Sequence, residues 1–121
     1  MSYAKGARHE RELMTFLQSQ GFAVVRVAGS GHNSPTDLLA VRKGVVLAVE
    51  CKAHATRPWI PQERVRELRQ FCDLAGALGF LAWRAPREDW RFLPLASMEQ
   101  ATYTDEHWLP KDTLLQALQQ G

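Results

Sequence analysis

The stretch 36–52, TDLLAVRKGVVLAVECK, constrains this chain more than any other. It holds two apolar runs, Leu38-Leu39-Ala40-Val41 and Val45-Val46-Leu47-Ala48-Val49, each of strand length and strand composition. Arg42-Lys43-Gly44 between them is turn material, so the segment predicts a β-hairpin. A two-residue turn at Lys43-Gly44, with Gly44 taking a positive φ, pairs Arg42 with Val45. That register sets Asp37 opposite Glu50, and directly opposed side chains share a face about 5 Å apart at Cβ. Lys52 shares the face of Glu50, because side-chain direction repeats every second residue. A three-residue loop would slide the pairing by one position and separate the two acids.

Two ionised carboxylates so placed repel each other. A hard divalent cation removes the conflict: Mg²⁺ takes oxygen ligands, commonly one or two carboxylates with phosphate oxygens and water. Lys52 adds a point charge for a phosphate oxygen or for orienting a water. The same residues also suit a plainer role, a surface ion pair between Glu50 and Lys52 at a strand end.

A chain of 121 residues is read as one domain with room for a core. No apolar run approaches the roughly 20 residues of a membrane span, and the first residues lack a signal-peptide core. The expectation is a cytoplasmic protein with no membrane partner. The two cysteines, Cys51 and Cys72, form no CxxC and the histidines are scattered, which argues against zinc, and the expected intracellular setting argues against a structural disulfide. Residues 1–91 hold 14 of the 15 Lys and Arg against 9 acids, a balance of +5, whereas residues 92–121 hold one Lys against 4 acids, a balance of −3. A basic body with an acidic tail permits nucleic-acid binding without requiring it.

The apolar stripe Leu13, Met14, Phe16 and Leu17 predicts a helix over 7–20, stopped by Gly21. Glu10 lies three residues before Leu13 and seven before Leu17, so it projects from that stripe. A carboxylate there is paired, bound to metal or protonated, unless it is simply a first-turn acid favoured by the helix dipole, the role that suffices for Glu12. Residues 22–27 read as a strand in which Arg26 is either a surface residue or a cation aimed at the site. The loop 28–35, AGSGHNSP, lacks the ending of a nucleotide P-loop but leads directly into Asp37. Ser30 and the amides of Gly29 and Gly31 are its candidates for holding a phosphate, with His32 a weaker one.

A second loop, 53–61, carries Arg57 and Trp59, and Pro61 suits the start of a helix over 62–78 ended by Gly79. Its core stripe is Val65, Leu68, Phe71, Cys72, Ala75 and Leu78. Arg64, Arg66 and Arg69 fall off that stripe, on a face that is solvated by default and suits DNA as an alternative. Strands follow at 80–83 and 90–95, where Pro94 marks an edge or an early end. Past residue 96 the composition changes, and Asp112 is placed to cap a helix over 113–120. This tail covers a sheet edge, packs across a dimer, or is loosely held. The order α-β-β-β-α-β-β predicts an α/β domain, a mixed five-stranded β-sheet flanked by helices.

Glu10 on the first helix, Asp37 opening a strand and Glu50-Cys51-Lys52 closing the next resemble the PD-(D/E)xK nuclease superfamily, whose fold is restriction-endonuclease-like. Within it the chain looks like the archaeal-type Holliday junction resolvases. KGARHEREL (5–13), GFAVVRVAGSG (21–31), Thr36-Asp37 with Glu50-Cys51-Lys52, and WRFLPL (90–95) carry the likeness. It covers roughly 5–95 and does not clearly cover the tail, so 1–95 is expected to be the nuclease core and 96–121 a C-terminal extension. The residue before Asp37 is Thr36 instead of proline, and the loop 32–36 looks longer than in compact members.

The resemblance implies a symmetric homodimer that binds a four-way DNA junction and nicks two strands, leaving 5′-phosphate and 3′-hydroxyl ends. It implies Mg²⁺, with Mn²⁺ as a substitute, held by Asp37, Glu50 and the Cys51 carbonyl. Glu10 would hold a metal-bound water or a second ion. Lys52 would orient the attacking water and steady the phosphate, Arg11, Arg26 and Ser30 would contact DNA, and Gln62 is a further candidate beside them. Junctions would be selected by shape, with most contacts to phosphates. Three alternatives stand beside this reading: a repair or restriction-like nuclease of the same superfamily, a DNA-binding module with an inactive site, and a protein-interaction domain. Salt-dependent DNA affinity separates the last from the others, and metal-dependent cleavage separates the second.

Overall fold

The computed structural model describes residues 2–27, 34–52, 56–100 and 102–120. In chain order the elements are α1 (Ser2–Ser19), β1 (Ala23–Arg26), β2 (Leu38–Arg42), β3 (Val45–Lys52), α2 (Gln62–Ala75), β4 (Leu78–Trp83), β5 (Arg91–Pro94), α3 (Leu95–Met98), β6 (Leu109–Pro110) and α4 (Lys111–Gln120). The expected hairpin forms in the expected register: Arg42 pairs with Val45 and Leu38 with Val49. Lys43 (φ 48°) and Gly44 (φ 88°) both take positive φ, the backbone a two-residue turn needs to match the twist of its strands.

The sheet order is β1-β2-β3-β4-β5-β6. Every neighbouring pair is antiparallel except β3 and β4, which are parallel and joined through α2. Side-chain alternation then sorts the core into two layers. On one face Leu38, Ala40, Leu47, Val49, Phe80, Ala82 and Phe92 meet Leu13 and Leu17 of α1 and Leu114 of α4. On the other, Ala48, Leu81, Trp83 and Leu93 meet Val65, Leu68 and Cys72 of α2 and Leu95 and Met98 of α3. Cys51 belongs to the α1 layer, as the alternation predicts.

The sheet has six strands where the sequence suggested five. The additional strand, β6, is two residues of the acidic tail hydrogen-bonded to β5, with Phe92 opposite Leu109 and Arg91 opposite Pro110. Pro94 therefore marks the end of β5, but β5 is not an edge. The second helix ends earlier than its apolar stripe implied. Gly76 (φ 66°), not Gly79, provides its left-handed cap, and Leu78 and Gly79 already lie in β4. Gly79 has another role: a Cβ there would sit 3.0 Å from Cys72 Sγ and 3.2 Å from Leu95 Cδ2, so the glycine lets the α2–α3 layer press onto β4. The first and last helices start earlier than predicted, and Asp112 lies within the first turn of α4, not ahead of it. Among the described residues no helix is long and apolar enough to cross a membrane.

Candidate active site

Asp37 stands at the mouth of the hairpin, just before β2. One residue earlier and one later the chain is tied down on both sides. The Thr36 hydroxyl, only 1% exposed, lies 3.1 Å from the Leu38 carbonyl and 3.0 Å from the Val49 carbonyl. The Asp37 N–H donates to Val49 O at 3.2 Å, and the Asp37 carbonyl accepts from the Val27 N–H at 2.9 Å. With its backbone clamped between β1 and β3, Asp37 turns its carboxylate onto the third strand, where Oδ2 accepts the Cys51 N–H at 2.9 Å. Among the described residues its other oxygen makes no hydrogen bond.

Glu50 is 4% exposed, in a strand interior where every neighbour on its own face is apolar or charged. Burial pushes its carboxyl above the usual carboxylate range, and the Asp37 charge pushes it further. Arg64 and then Lys52 pull it back. Arg64 does so through a two-pronged pair, Nη2 to Oε1 at 2.8 Å and Nε to Oε2 at 3.4 Å. Lys52 makes no ion pair among the described residues, so its charge is felt at the site without being consumed by one partner.

Cys51 shows how closely the charges gather. Its thiol is pushed upward first by burial, then by Asp37, Glu10 and Glu50, with Lys52 opposing them. Four of the sequence-predicted residues thus act on one side chain. They do not all approach from one direction. Glu50 and Lys52 belong to the α2 face. Glu10 arrives from α1 on the other face, where it accepts from Arg26 Nε at 2.8 Å; Arg26 pairs with Leu38, a residue of the α1 layer. Among the described residues no three His, Cys, Asp or Glu side chains stand close enough to hold a metal by themselves. The arrangement offers two coupled carboxylates from adjacent strands, a nearby ammonium, and a third carboxylate engaged by a guanidinium.

The remaining predicted residues are dispersed. Arg11 is exposed on α1 beside Arg8 and Thr15 and has no ion pair among the described residues. Gln62 opens α2 and donates to the Met98 carbonyl at 3.2 Å, tying α2 to α3. Ser30, with Gly29, Gly31 and His32, lies outside the described residues. Sequence reasoning passed over two participants. Arg64 was read as off the core stripe of its helix, yet a buried Glu50 demands a cation and Arg64 is the one in the first turn of α2. Thr36 enters the sequence reading only as the neighbour of Asp37 that replaces proline, with no role of its own, although a hydroxyl ahead of an acidic residue is a signal of backbone anchoring.

A family model for the archaeal Holliday junction resolvase (hjc) matches residues 1–114. The crossover junction endodeoxyribonuclease Hjc of Archaeoglobus fulgidus is 38% identical over 101 residues, covering 80% of this chain and 74% of that protein. The Methanocaldococcus jannaschii protein of the same name is 43% identical over 81 residues, covering 66% of this chain and 59% of its own length, less than two thirds. The solved structure of the Archaeoglobus fulgidus Hjc, titled a Holliday junction resolvase from an archaeal hyperthermophile, superposes with a TM-score of 0.80 at 29% identity, covering 91% of this chain and 99% of that one.

Proposed function

This chain belongs to the archaeal Holliday junction resolvase family, and from that premise we propose that it is a crossover junction endodeoxyribonuclease acting as a cytoplasmic homodimer on four-way DNA junctions. The observation that carries the reading is the coupling of Asp37 to Glu50 across the hairpin mouth, with Lys52 on the same face as Glu50. A buried carboxylate whose ionisation is made costlier by its neighbour's charge suits a divalent cation, and hard oxygen donors of this number suit Mg²⁺, or Mn²⁺ in its place.

Asp37 and Glu50 would hold that ion, with the Cys51 carbonyl beside them. When bound, the ion eases deprotonation of water and neutralises charge gathering on phosphate oxygens. The chain's own side chains supply the rest. Lys52 holds a non-bridging phosphate oxygen and orients the attacking water. Glu10, held by Arg26, accepts a hydrogen bond from a water approaching from the α1 face. Arg11 and Arg26 contact phosphates, and Ser30 is proposed with them. Arg64 favours the charged form of Glu50 and aims its carboxylate. The core is proposed to be 1–95, with 96–121 an extension.

The Arg64–Glu50 pair also suits a second reading, a DNA-binding module without catalysis, because it neutralises Glu50 with no ion. Cleavage decides. The protein is incubated with a synthetic four-way junction, a plain duplex and a flap, in Mg²⁺ and then in EDTA. Paired symmetric nicks in the junction alone, lost in EDTA, are expected. Binding without nicks in Mg²⁺ or Mn²⁺ selects the second reading, and equal cutting of flap or duplex selects another nuclease of the superfamily.

A further inference from the structure

We propose that Trp59 is a stacking platform for a nucleobase whose face is left unstacked at the branch point of the DNA substrate. The inference rests on the junction-cleaving reading and adds to it a contact that no catalytic role requires.

Trp59 is 56% exposed, an unusual cost for the largest apolar side chain. It is nevertheless held in place. One face of its indole stacks on Tyr103, ring centroids 4.8 Å apart and planes 13° from parallel. Tyr103 is buried, and its hydroxyl accepts the Ile60 N–H at 3.3 Å, which fixes the platform's support to the backbone next to Trp59. Pro58 and Ile60 on either side are both buried. The exposed face is therefore presented by a rigid base, not by a loose loop.

The platform is continuous with the catalytic end of the sheet. Tyr103 meets Trp108 edge-on at 6.4 Å, and Trp108 meets Trp83 edge-on at 5.2 Å. Trp83 is the register partner of Lys52 on the parallel strand. Trp59 also lies in the segment that leads from Lys52 into α2, five residues before Arg64, the partner of Glu50. An object seated on Trp59 is thus on the Glu50–Lys52 face of the sheet, at the same end.

Charge selects what that object is. Arg57 beside the platform is occupied by Asp105, Nη1 to Oδ1 at 2.7 Å, and the exposed Glu106 follows. Among the described residues this rim has no surplus cation, so it does not favour a phosphate backbone. A flat π face without a cationic rim takes the plane of a base, and stacking of bases on aromatic rings is indifferent to sequence. Bases in a continuous duplex have their faces covered by neighbours. At a branch point the stack is interrupted and a face becomes available, which ties this contact to junction shape.

The test measures equilibrium binding, in EDTA to prevent cleavage, of a junction carrying 2-aminopurine at the branch point and of a matched duplex, across a range of salt. Trp59→Ala is expected to weaken junction binding about tenfold or more, leaving duplex affinity and the salt slope unchanged, because no ion pair is lost. Trp59→Phe is expected to retain most of the affinity. The 2-aminopurine signal is expected to be quenched by the wild-type protein and not by Trp59→Ala. Should the alanine variant fold poorly, the phenylalanine variant and the quenching of the wild-type complex still decide. Unchanged junction affinity in Trp59→Ala, with wild-type preference for the junction intact, overturns the platform alone. So does an equal loss on duplex, or a drop in DNA-free sedimentation mass, which would assign Trp59 to contact with a second copy of the chain. A wild-type protein that does not prefer the junction overturns the function reading and the platform together.

Discussion

Arg64 reaches from the first turn of α2 to both carboxylate oxygens of Glu50, with Nη2 2.8 Å from Oε1 and Nε 3.4 Å from Oε2. The pair opposes the two influences that favour a neutral Glu50, its burial and the Asp37 charge. Removing Arg64 leaves only the weaker influence of Lys52 to oppose them, so Glu50 holds its proton to higher pH. Arg64→Gln is therefore expected to shift the acid limb of the cleavage–pH profile upward and to lower turnover at pH 7 by roughly tenfold or more, with activity partly recovered at alkaline pH. An unmoved profile would reduce the pair to a tether between α2 and β3.

Glu50→Gln and Asp37→Asn are expected to abolish cleavage while junction binding persists, and to separate catalysis from stability. The folded-state pKa of Glu50 is raised above its ordinary value of 4.5. Its contribution is therefore complete below that value and lost as pH rises through the folded pKa. Without divalent ions, Glu50→Gln should be more stable than wild type at pH 7, seen as a higher Tm. The gap should close near pH 4. Added Mg²⁺ should raise the wild-type Tm and leave that of the variant unchanged, since only a state that binds the ion is stabilised by it. Thermal melts at the two pH values, with EDTA and with Mg²⁺, check all three statements; a variant that does not fold would assign Glu50 a structural ion pair instead.

Lys52 differs from the acids because its charge is felt at Glu50 and Cys51 without a fixed partner among the described residues. Lys52→Ala is expected to lower single-turnover cleavage by roughly 100-fold and to change junction affinity little. Near-normal cleavage would remove Lys52 from the chemistry.

The hairpin and its acids were legible in the sequence because local rules suffice there. A Lys-Gly turn sets the register, and alternation then determines which residues share a face. The end of α2 was not legible, because Gly76 and Gly79 both offer a stop and Leu78 continues the apolar spacing of the helix. The choice is made by tertiary packing, where Gly79 must admit Cys72 and Leu95 to close contact. β6 is two residues long and exists only by pairing with β5, which no periodicity reports. Arg64 was hidden for a related reason. Helical spacing says which way a side chain leaves its own axis, but its partner is chosen by the parallel crossover that lays α2 over β3.

Thr36 extends the same lesson to the site itself. Its buried hydroxyl holds the Leu38 and Val49 carbonyls at the point where the chain enters β2 from Asp37. Thr36→Val keeps the shape and removes the hydrogen bonds, so a loss of about 1 kcal/mol is expected. Because Asp37 is positioned by the next peptide, the stabilisation given by Mg²⁺ should shrink in the same variant. A melt with and without Mg²⁺ measures both, and an undiminished Mg²⁺ effect would confine Thr36 to folding.

The last expectation concerns DNA and follows from which arginines are already spent. Arg64 is engaged by Glu50, Arg69 by Glu99 and Arg84 by Glu12. Arg11 is exposed on α1 with no such partner among the described residues. If binding neutralises about six phosphates, log affinity should fall with log salt at a slope near −5. Arg11→Ala should weaken junction and duplex alike and make that slope shallower by about 1. Arg69→Ala, whose guanidinium is held by Nη2 2.6 Å from Glu99 Oε1 and faces the α3 side, should leave it unchanged. Titrations at four salt concentrations distinguish the two variants, and a flat response in the wild-type protein would end the nucleic-acid reading altogether.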